Sequence, residues 1–140
     1  MSNLKVLVLD HGKIDSPEKE TPRVGRTTAW LLSNNHVEAE FLSEIEGDLA
    51  AKIREYSVVV AEVLDENGDL WGLGCNALRE AVSAGVARVI MSSYKKPVLE
   101  RKAEEDREFL SLFLNSVVYE GRGIFAVIDA IEEAVKTQTT

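Results

Sequence analysis

A short apolar run near the middle of the chain constrains the fold more than any other segment. Residues 58–63 are four valines, one alanine and a single carboxylate, Glu62. A run this short and this rich in β-branched residues is typical of a strand buried on both faces, as at the centre of a parallel sheet. The segment that follows, residues 65–69, is acidic and contains a glycine. Open α/β sheets place their functional loops at such strand ends, so Glu62 is a candidate site residue.

Strand-like and helix-like patterns alternate along the whole chain. The predicted strands are residues 4–10, 37–42, 58–63, 87–91 and 117–119, and the predicted helices are residues 25–34, 44–56, 73–83, 97–114 and 124–135. Right-handed crossovers between parallel strands place helices on both faces of a sheet. The alternation therefore predicts an α/β fold, a flavodoxin-like (βα)5 three-layer sandwich around a five-stranded parallel sheet.

Local signals predict the boundaries of these elements. Ser43, with Glu46 three residues later, has the spacing of a capping box and is the predicted N-cap of the second helix. Gly85 is predicted to end the third helix. The polar residues 11–24, which include two prolines, are predicted to form a long loop. One domain is expected over residues 1–136, and residues 137–140 are predicted to be a disordered tail.

The composition excludes several classes of function. The chain has 140 residues, of which 45% are hydrophobic and 29% charged, as expected for one globular domain. The net charge of −8 argues against a nucleic-acid partner, because phosphate binding needs clustered basic residues. No segment has the length and hydrophobicity of a membrane span. With a single cysteine, no internal disulfide is possible, and we expect a cytoplasmic protein.

Few residues belong to a recognisable chemical motif. The sequence contains no G-x-x-x-x-G-K-[ST], H-E-x-x-H, C-x-x-C or G-x-S-x-G. Cys75 falls in the first turn of a predicted helix, where the pKa of a thiol can be lowered, and the alternative is a small buried residue without chemistry.

Carboxylates follow three of the predicted strands. Asp10, Glu62 and Glu120 would converge if the first, third and fifth strands were neighbours. Their charges would then repel one another unless raised pKa values or a divalent cation relieved the repulsion. Mg²⁺ is the natural cation for oxygen ligands, so Asp10 and Glu62 form a possible Mg²⁺ site, next to His11. The alternative is that each carboxylate points into solvent at the end of its strand.

Four strand-end segments, KVLVLDHG, SVVVAEV, RVIMSSY and SVVYEGRG, resemble those of response-regulator receiver domains, and the resemblance covers almost the whole chain. It implies a receiver-like (βα)5 fold in which an aspartate after the third strand accepts a phosphoryl group beside Mg²⁺. Asp10 then matches the first metal-binding acid, and His11 stands where the second acid is expected. Glu62 takes the place of the phosphorylated aspartate, Ser93 that of the switch hydroxyl and Glu120 that of a lysine.

These departures from the family pattern affect the phosphorylation chemistry directly. Glu62 is one methylene longer than aspartate, the second metal-binding acid is missing, and Glu120 would repel an incoming phosphoryl group. The resemblance therefore implies an atypical pseudo-receiver, a signalling or protein-interaction module that is independent of phosphorylation and is not an enzyme.

Receiver-like domains usually pair through the face made by the fourth helix, the fifth strand and the fifth helix. In this sequence the predicted fourth helix ends in an apolar cluster, from which Phe109, Leu112 and Phe113 are the interface candidates. We expect a protein partner or a homodimer at this face, and no nucleic acid or membrane. The alternative is that the end of this helix is simply buried.

A second function of a different class stays open. The chain could be a small-molecule-binding or Mg²⁺-binding flavodoxin-like domain, similar to the N-terminal wing of some amino-acid decarboxylases, or a small enzyme that uses the acidic cleft. Flavodoxins themselves need a phosphate-binding loop directly after the first strand, which residues 11–24 do not supply.

Overall fold

The computed structural model describes residues 4–11, 24–92, 94–119 and 124–139. The strands are β1 (Lys5–Leu9), β2 (Glu38–Leu42), β3 (Val58–Ala61), β4 (Ala87–Ile90) and β5 (Val117–Val118). The helices are α1 (Val24–Asn34), α2 (Leu49–Ile53), α3 (Gly72–Ala84), α4 (Lys96–Glu105), α5 (Arg107–Leu114) and α6 (Ile124–Thr139).

All five strands are parallel and lie in the order β2-β1-β3-β4-β5. This arrangement confirms the predicted parallel α/β fold, with β3 in the centre and β2 at an edge. The condition for convergence of the three strand-end carboxylates is met only in part, because β1 and β3 are neighbours but β4 lies between β3 and β5. A hydrophobic pattern shows that a strand is buried but does not show which strands it pairs with.

The sheet separates two hydrophobic cores, because successive strand residues point to opposite faces. Val59 and Ala61 of β3 face the core formed with α2, α3, α4 and α5. Val58 and Val60 face the core formed with α1 and α6. All four β3 residues are completely buried, which explains why the run is apolar throughout instead of alternating.

The start of α2 differs from the prediction. Asp48, not Ser43, is the N-cap residue, and its side chain accepts a hydrogen bond of 3.1 Å from the Ala50 amide. Gly47 has a φ of 81°, so the chain turns between Ser43 and the helix. The end of α3 agrees with the prediction, since Gly85 caps it with a φ of 70°.

The single fourth helix predicted at residues 97–114 is in fact two helices. Asp106 breaks it with an extended backbone, at φ −136° and ψ 113°. Its side chain accepts a 3.0 Å hydrogen bond from the Phe109 amide, which caps α5. A lone aspartate inside a charged stretch looks like an ordinary exposed position, so the hydrophobic pattern did not indicate this break.

The C-terminal residues differ from the predicted disordered tail. α6 continues to Thr139, and Thr137 donates a 2.9 Å hydrogen bond to the Glu133 carbonyl. Arg88 also donates to the Gln138 side chain at 3.1 Å. Most of the predicted loop, residues 12–23, lies outside the described residues, as does Thr140. Within the described part of the chain, no helix combines the length and apolar content needed to cross a membrane.

α3 packs directly on the end of β3 at Gly74. A Cβ atom added at Gly74 would lie 1.9 Å from the Glu62 carbonyl oxygen and 2.9 Å from Cε3 of Trp71. Real Cβ atoms do not approach backbone this closely, so only glycine permits the contact. The position of α3 over Glu62 therefore depends on this one residue.

We predict that Gly74→Ala lowers the free energy of unfolding by at least about 2 kcal/mol, since backbone must move to admit the methyl group. Gly72→Ala, two residues earlier in the same helix, is the matched control, because nothing lies within 4 Å of its added Cβ. It should change stability by less than about 0.5 kcal/mol. Urea unfolding curves measure both values. Equal effects of the two substitutions would contradict the close packing described here.

Candidate functional site

Two buried carboxylates follow neighbouring strands at the carboxyl end of the sheet. Asp10 comes directly after β1 and Glu62 directly after β3, and each is only 3% exposed. The Glu62 amide donates a 2.9 Å hydrogen bond to the Leu9 carbonyl, which continues the ladder between the two strands. The structure thus places Asp10 and Glu62 at the carboxyl ends of two adjacent strands.

The Glu62 side chain folds back onto its own backbone. Its Oε2 atom accepts hydrogen bonds from the amides of Val63, at 2.8 Å, and Leu64, at 3.2 Å. Hydrogen bonds from backbone amides to a carboxylate are charge-assisted and therefore among the stronger ones in proteins. The Glu62 carboxylate therefore stabilises the turn that the backbone makes directly after β3.

His11 packs beside these acids. Its Nε2 atom lies 3.6 Å from Oδ1 of Asp10, and its ring meets the Trp71 ring edge-on, with centroids 5.4 Å apart. The imidazole is mostly buried, and its Nδ1 atom has no hydrogen-bond partner among the described residues. His11 therefore joins the end of β1 to the segment that precedes α3.

The acidic segment after β3 is an ordered hairpin, residues 64–70, closed by an antiparallel bridge between its first and last residues. The Asp65 amide donates to the Asp69 carbonyl at 2.8 Å. Oδ1 of Asp65 accepts from the amides of Asn67, at 2.9 Å, and Asp69, at 3.0 Å. Gly68 takes a φ of 79° at the tip, a conformation that favours glycine.

Tyr94 connects this hairpin to the chain that follows β4. Its hydroxyl oxygen lies 3.1 Å from the Asp65 carbonyl oxygen and 3.3 Å from that of Glu66, to which it donates. The Tyr94 amide donates to Oγ of Ser92 at 3.1 Å. Burial, followed by the negative charge of Glu62 and the hairpin acids, raises the pKa of the Tyr94 phenol.

The contacts of Tyr94 and Trp71 were not predicted from the sequence. The only sequence signal for Tyr94 is its place just after a strand, and for Trp71 its place just before a helix. Their contacts join loops that are distant in sequence, and neither contact leaves a motif.

Two predicted site residues, Ser93 and Glu120, lie outside the described residues. The described residues contain no group of three or more His, Cys, Asp or Glu side chains placed to hold a metal ion. One oxygen of Glu62 is already engaged by two amides, and the side chain beside Asp10 is the His11 imidazole, which offers nitrogen and not oxygen atoms. The described donors are therefore a poor set for Mg²⁺, which prefers several oxygen ligands in octahedral geometry.

Solved structures share this architecture. The chemotaxis protein CheY4 of Vibrio cholerae matches with a TM-score of 0.58 at 13% identity, over 94% of this chain and 98% of that chain. A CheY-like response regulator receiver domain protein of Methanospirillum hungatei JF-1 matches with a TM-score of 0.57 at 16% identity, over 97% of both chains. The chain has a receiver-like fold. A fusion protein carrying a trimeric coiled-coil segment of yeast Spc42 also matches, with a TM-score of 0.60 at 13% identity, over 97% of this chain and 81% of that chain.

No family model matches the sequence, and no curated protein matches it significantly. The likeness to the solved structures therefore concerns the fold. In this receiver-like fold, Ala61 pairs with Ile90, so Met91 is level with Glu62 and Ser92 follows one residue later. Ser92 is thus a hydroxyl close to the end of β4, next to Ser93, which the receiver resemblance matched to the switch hydroxyl.

The predicted interface residues of α5 are only partly on the surface. Phe109 is completely buried and Leu112 is 3% exposed, and both belong to the core against the sheet. Phe113 is partly buried and packs against that core. Phe109 and Leu112 are therefore wrong as surface residues, because the helical period turns them inward. Leu110, at 38% exposure, and Leu114, at 72%, are the exposed apolar residues of this helix.

A groove of about 550 Å³ runs along the β5 edge between α5 and α6. Its lining includes the cationic side chains of Arg88 and Lys96, the carboxylate of Glu133 and the exposed Leu114. Arg88 is held in place by a 2.9 Å hydrogen bond from its Nε to the Asn115 carbonyl. The groove lies on the face that the sequence comparison with receivers singled out.

Cys75 is buried in the first turns of α3, at 3% exposure. Its Sγ atom donates to the Val63 carbonyl at 3.8 Å. Burial raises the pKa of the thiol to about 11, and the nearby Arg79 opposes this only in part. A thiolate nucleophile at this position is therefore disfavoured, and the small buried residue is the better interpretation.

We predict that the stability contribution of Cys75 decreases at high pH. The unfolded chain releases the thiol proton near its ordinary pKa, about 8.5, whereas the folded protein keeps it until about 11. The contribution is therefore complete below pH ~8 and is lost as the pH rises towards 11. Relative to Cys75→Ala, the wild type should lose on the order of 2 kcal/mol over this range.

Urea unfolding of both proteins at several pH values measures this difference. Below pH ~8 the difference should be constant, because the thiol is then protonated in both states. A folded-state thiol that titrates near about 8.5 would contradict the prediction.

Proposed function

We propose that the chain is a phosphorylation-independent signalling module, a pseudo-receiver that acts in the cytoplasm through protein–protein contacts and without enzymatic activity. The observation that carries this proposal is the engagement of Glu62, whose carboxylate holds the turn after β3. In a receiver the acid at this position accepts the phosphoryl group, and here it has a structural task.

Phosphorylation of Glu62 would disturb the turn at which it acts. Phosphoryl transfer would convert the Glu62 carboxylate into an acyl phosphate, which moves the negative charge from the carboxyl oxygens to the phosphoryl oxygens. The charge-assisted bonds from the Val63 and Leu64 amides would then weaken. Such bonds are worth roughly 1.5–3 kcal/mol each. Trp71 packs beside Gly74, and His11 packs beside Asp10 and against the Trp71 ring, so side chains of the protein itself surround this strand end.

The partner surface is the face formed by α5, β5 and α6. Leu110 and Leu114 expose apolar area there, beside a groove with two cationic residues and one carboxylate. An apolar centre with charged surroundings is the usual composition of a protein interface. We assign this face to a second copy of the chain or to a protein partner.

The first test is phosphorylation by acetyl phosphate with Mg²⁺, followed by intact-mass measurement. We predict no adduct on the wild-type protein and no saturable Mg²⁺ binding in calorimetry. The positive control is the variant His11→Asp, Glu62→Asp, Glu120→Lys, which restores the receiver pattern and should regain Mg²⁺ binding and a phospho-adduct. A stable adduct on the wild type would refute the proposal, and tight Mg²⁺ binding would favour the alternative of a Mg²⁺-dependent or small-molecule-binding cleft.

The second test addresses the interface. We predict a concentration-dependent dimer in sedimentation equilibrium, and Leu114→Glu should weaken it at least about tenfold, because it places a charge in the apolar centre of the contact. Trp30→Glu is the matched control, since Trp30 is also an exposed apolar helix residue, at 65%, but lies on α1. A dimer that Trp30→Glu disrupts equally, or a wild-type monomer at all concentrations, would contradict self-association through this face.

A further inference from the structure

Three connections above the sheet are tied to one another. His11, two residues after β1, contacts Trp71, which directly follows the acidic hairpin. The hairpin in turn receives the Tyr94 hydroxyl from the connection between β4 and α4. These contacts link strand ends that are neighbours in the sheet, in the order β1, β3 and β4.

The hairpin is expected to open as one unit, because several of its hydrogen bonds share the same acceptor residue. The Asp65 carboxylate accepts two amides from inside the turn, and the Gly68 amide donates to the Asp65 carbonyl at 3.0 Å. The Trp71 amide donates to the Val63 carbonyl at 2.8 Å, at the base of the hairpin. Opening any part of it therefore weakens the rest.

Tyr94 contacts the hairpin at Asp65, the residue that takes part in several of the hairpin's internal hydrogen bonds. Its hydroxyl donates to the backbone of Asp65 and Glu66, and its ring lies against Gly68, where an added Cβ would be 3.6 Å from the hydroxyl oxygen. On its C-terminal side, Tyr94 lies two residues before the start of α4. The first turn of α4 includes a 3.0 Å hydrogen bond from the Val98 amide to the Lys95 carbonyl.

We propose that the Tyr94 hydroxyl is a latch that makes the acidic hairpin and residues 94–98, which lead into α4, open and close as one cooperative unit. A change at the start of α4 then loosens the hairpin beside Glu62, and a change at the hairpin loosens the start of α4. The latch is a property of the backbone and one phenol. It holds whether or not the chain is a pseudo-receiver, so the two proposals fail separately.

Hydrogen exchange of single amides tests the latch in Tyr94→Phe, which removes the hydroxyl and keeps the ring. We expect the amides of Gly68, Asp69 and Trp71 in the hairpin to exchange about fivefold faster, the factor for loss of one hydrogen bond. The amides of Tyr94 and Val98 should accelerate by the same factor. Tyr56→Phe is the matched control, because that ring lies between Lys5 and Lys52, 5.2 and 5.5 Å from their ammonium groups, and should leave both sets unchanged.

The reciprocal experiment strains the latch from the hairpin side. Gly68→Ala forces a Cβ onto a φ of 79° and should accelerate the Tyr94 and Val98 amides together with the hairpin, since coupling between two sites acts in both directions. Gly47→Ala carries the same strain, at φ 81°, in the turn before α2 and should change neither set. Acceleration of only one of the two sets in either variant, or no acceleration in both, overturns the proposal.

Discussion

Two hydrogen bonds from the backbone to one carboxylate oxygen determine how the chain leaves its central strand. A buried charge is costly unless it is paired or hydrogen-bonded, and the amides of Val63 and Leu64 satisfy part of that need for Glu62. The turn they stabilise directs the chain into the acidic hairpin. Gly74 then allows α3 to pack against the Glu62 peptide. The end of β3, the hairpin and α3 therefore all depend on the conformation of the chain at Glu62.

The sequence was sufficient to predict the layers of this fold and insufficient to predict its breaks. A run such as residues 58–61 has to be buried on both faces, and the alternation with helices then leaves a parallel sheet as the solution. Asp106 shows the limit. Whether an aspartate within a charged helix stays exposed or turns to cap a new helix depends on the packing of Phe109, which is a tertiary property. The capping of α2 by Asp48 and the ordered end of α6 depend in the same way on local geometry.

The candidate site was predictable to a similar degree. Strand ends are readable from the hydrophobic pattern, so Asp10 and Glu62 were found, and the structure places them on adjacent strands. The direction of the Glu62 carboxylate was not readable, because it is set by two backbone amides. The contacts of Tyr94 and Trp71 were not predicted for a related reason, since their partners are a carbonyl and a ring in loops remote along the chain. Leu112 was misplaced because a helix with a wide apolar surface does not reveal which part of it faces the sheet.

The shortness of β5 has a consequence for recognition. An edge strand can recruit another chain through its unpaired backbone groups, but β5 has only two residues and offers hardly any. The opposite edge, β2, is longer and carries Glu38 and Glu40, whose charges discourage an added strand. Neither edge strand therefore favours pairing with a further strand. A molecule that binds beside β5 is recognised by side chains such as those of Arg88 and Leu114. Such a surface can change its specificity by single substitutions while the sheet beneath it stays the same.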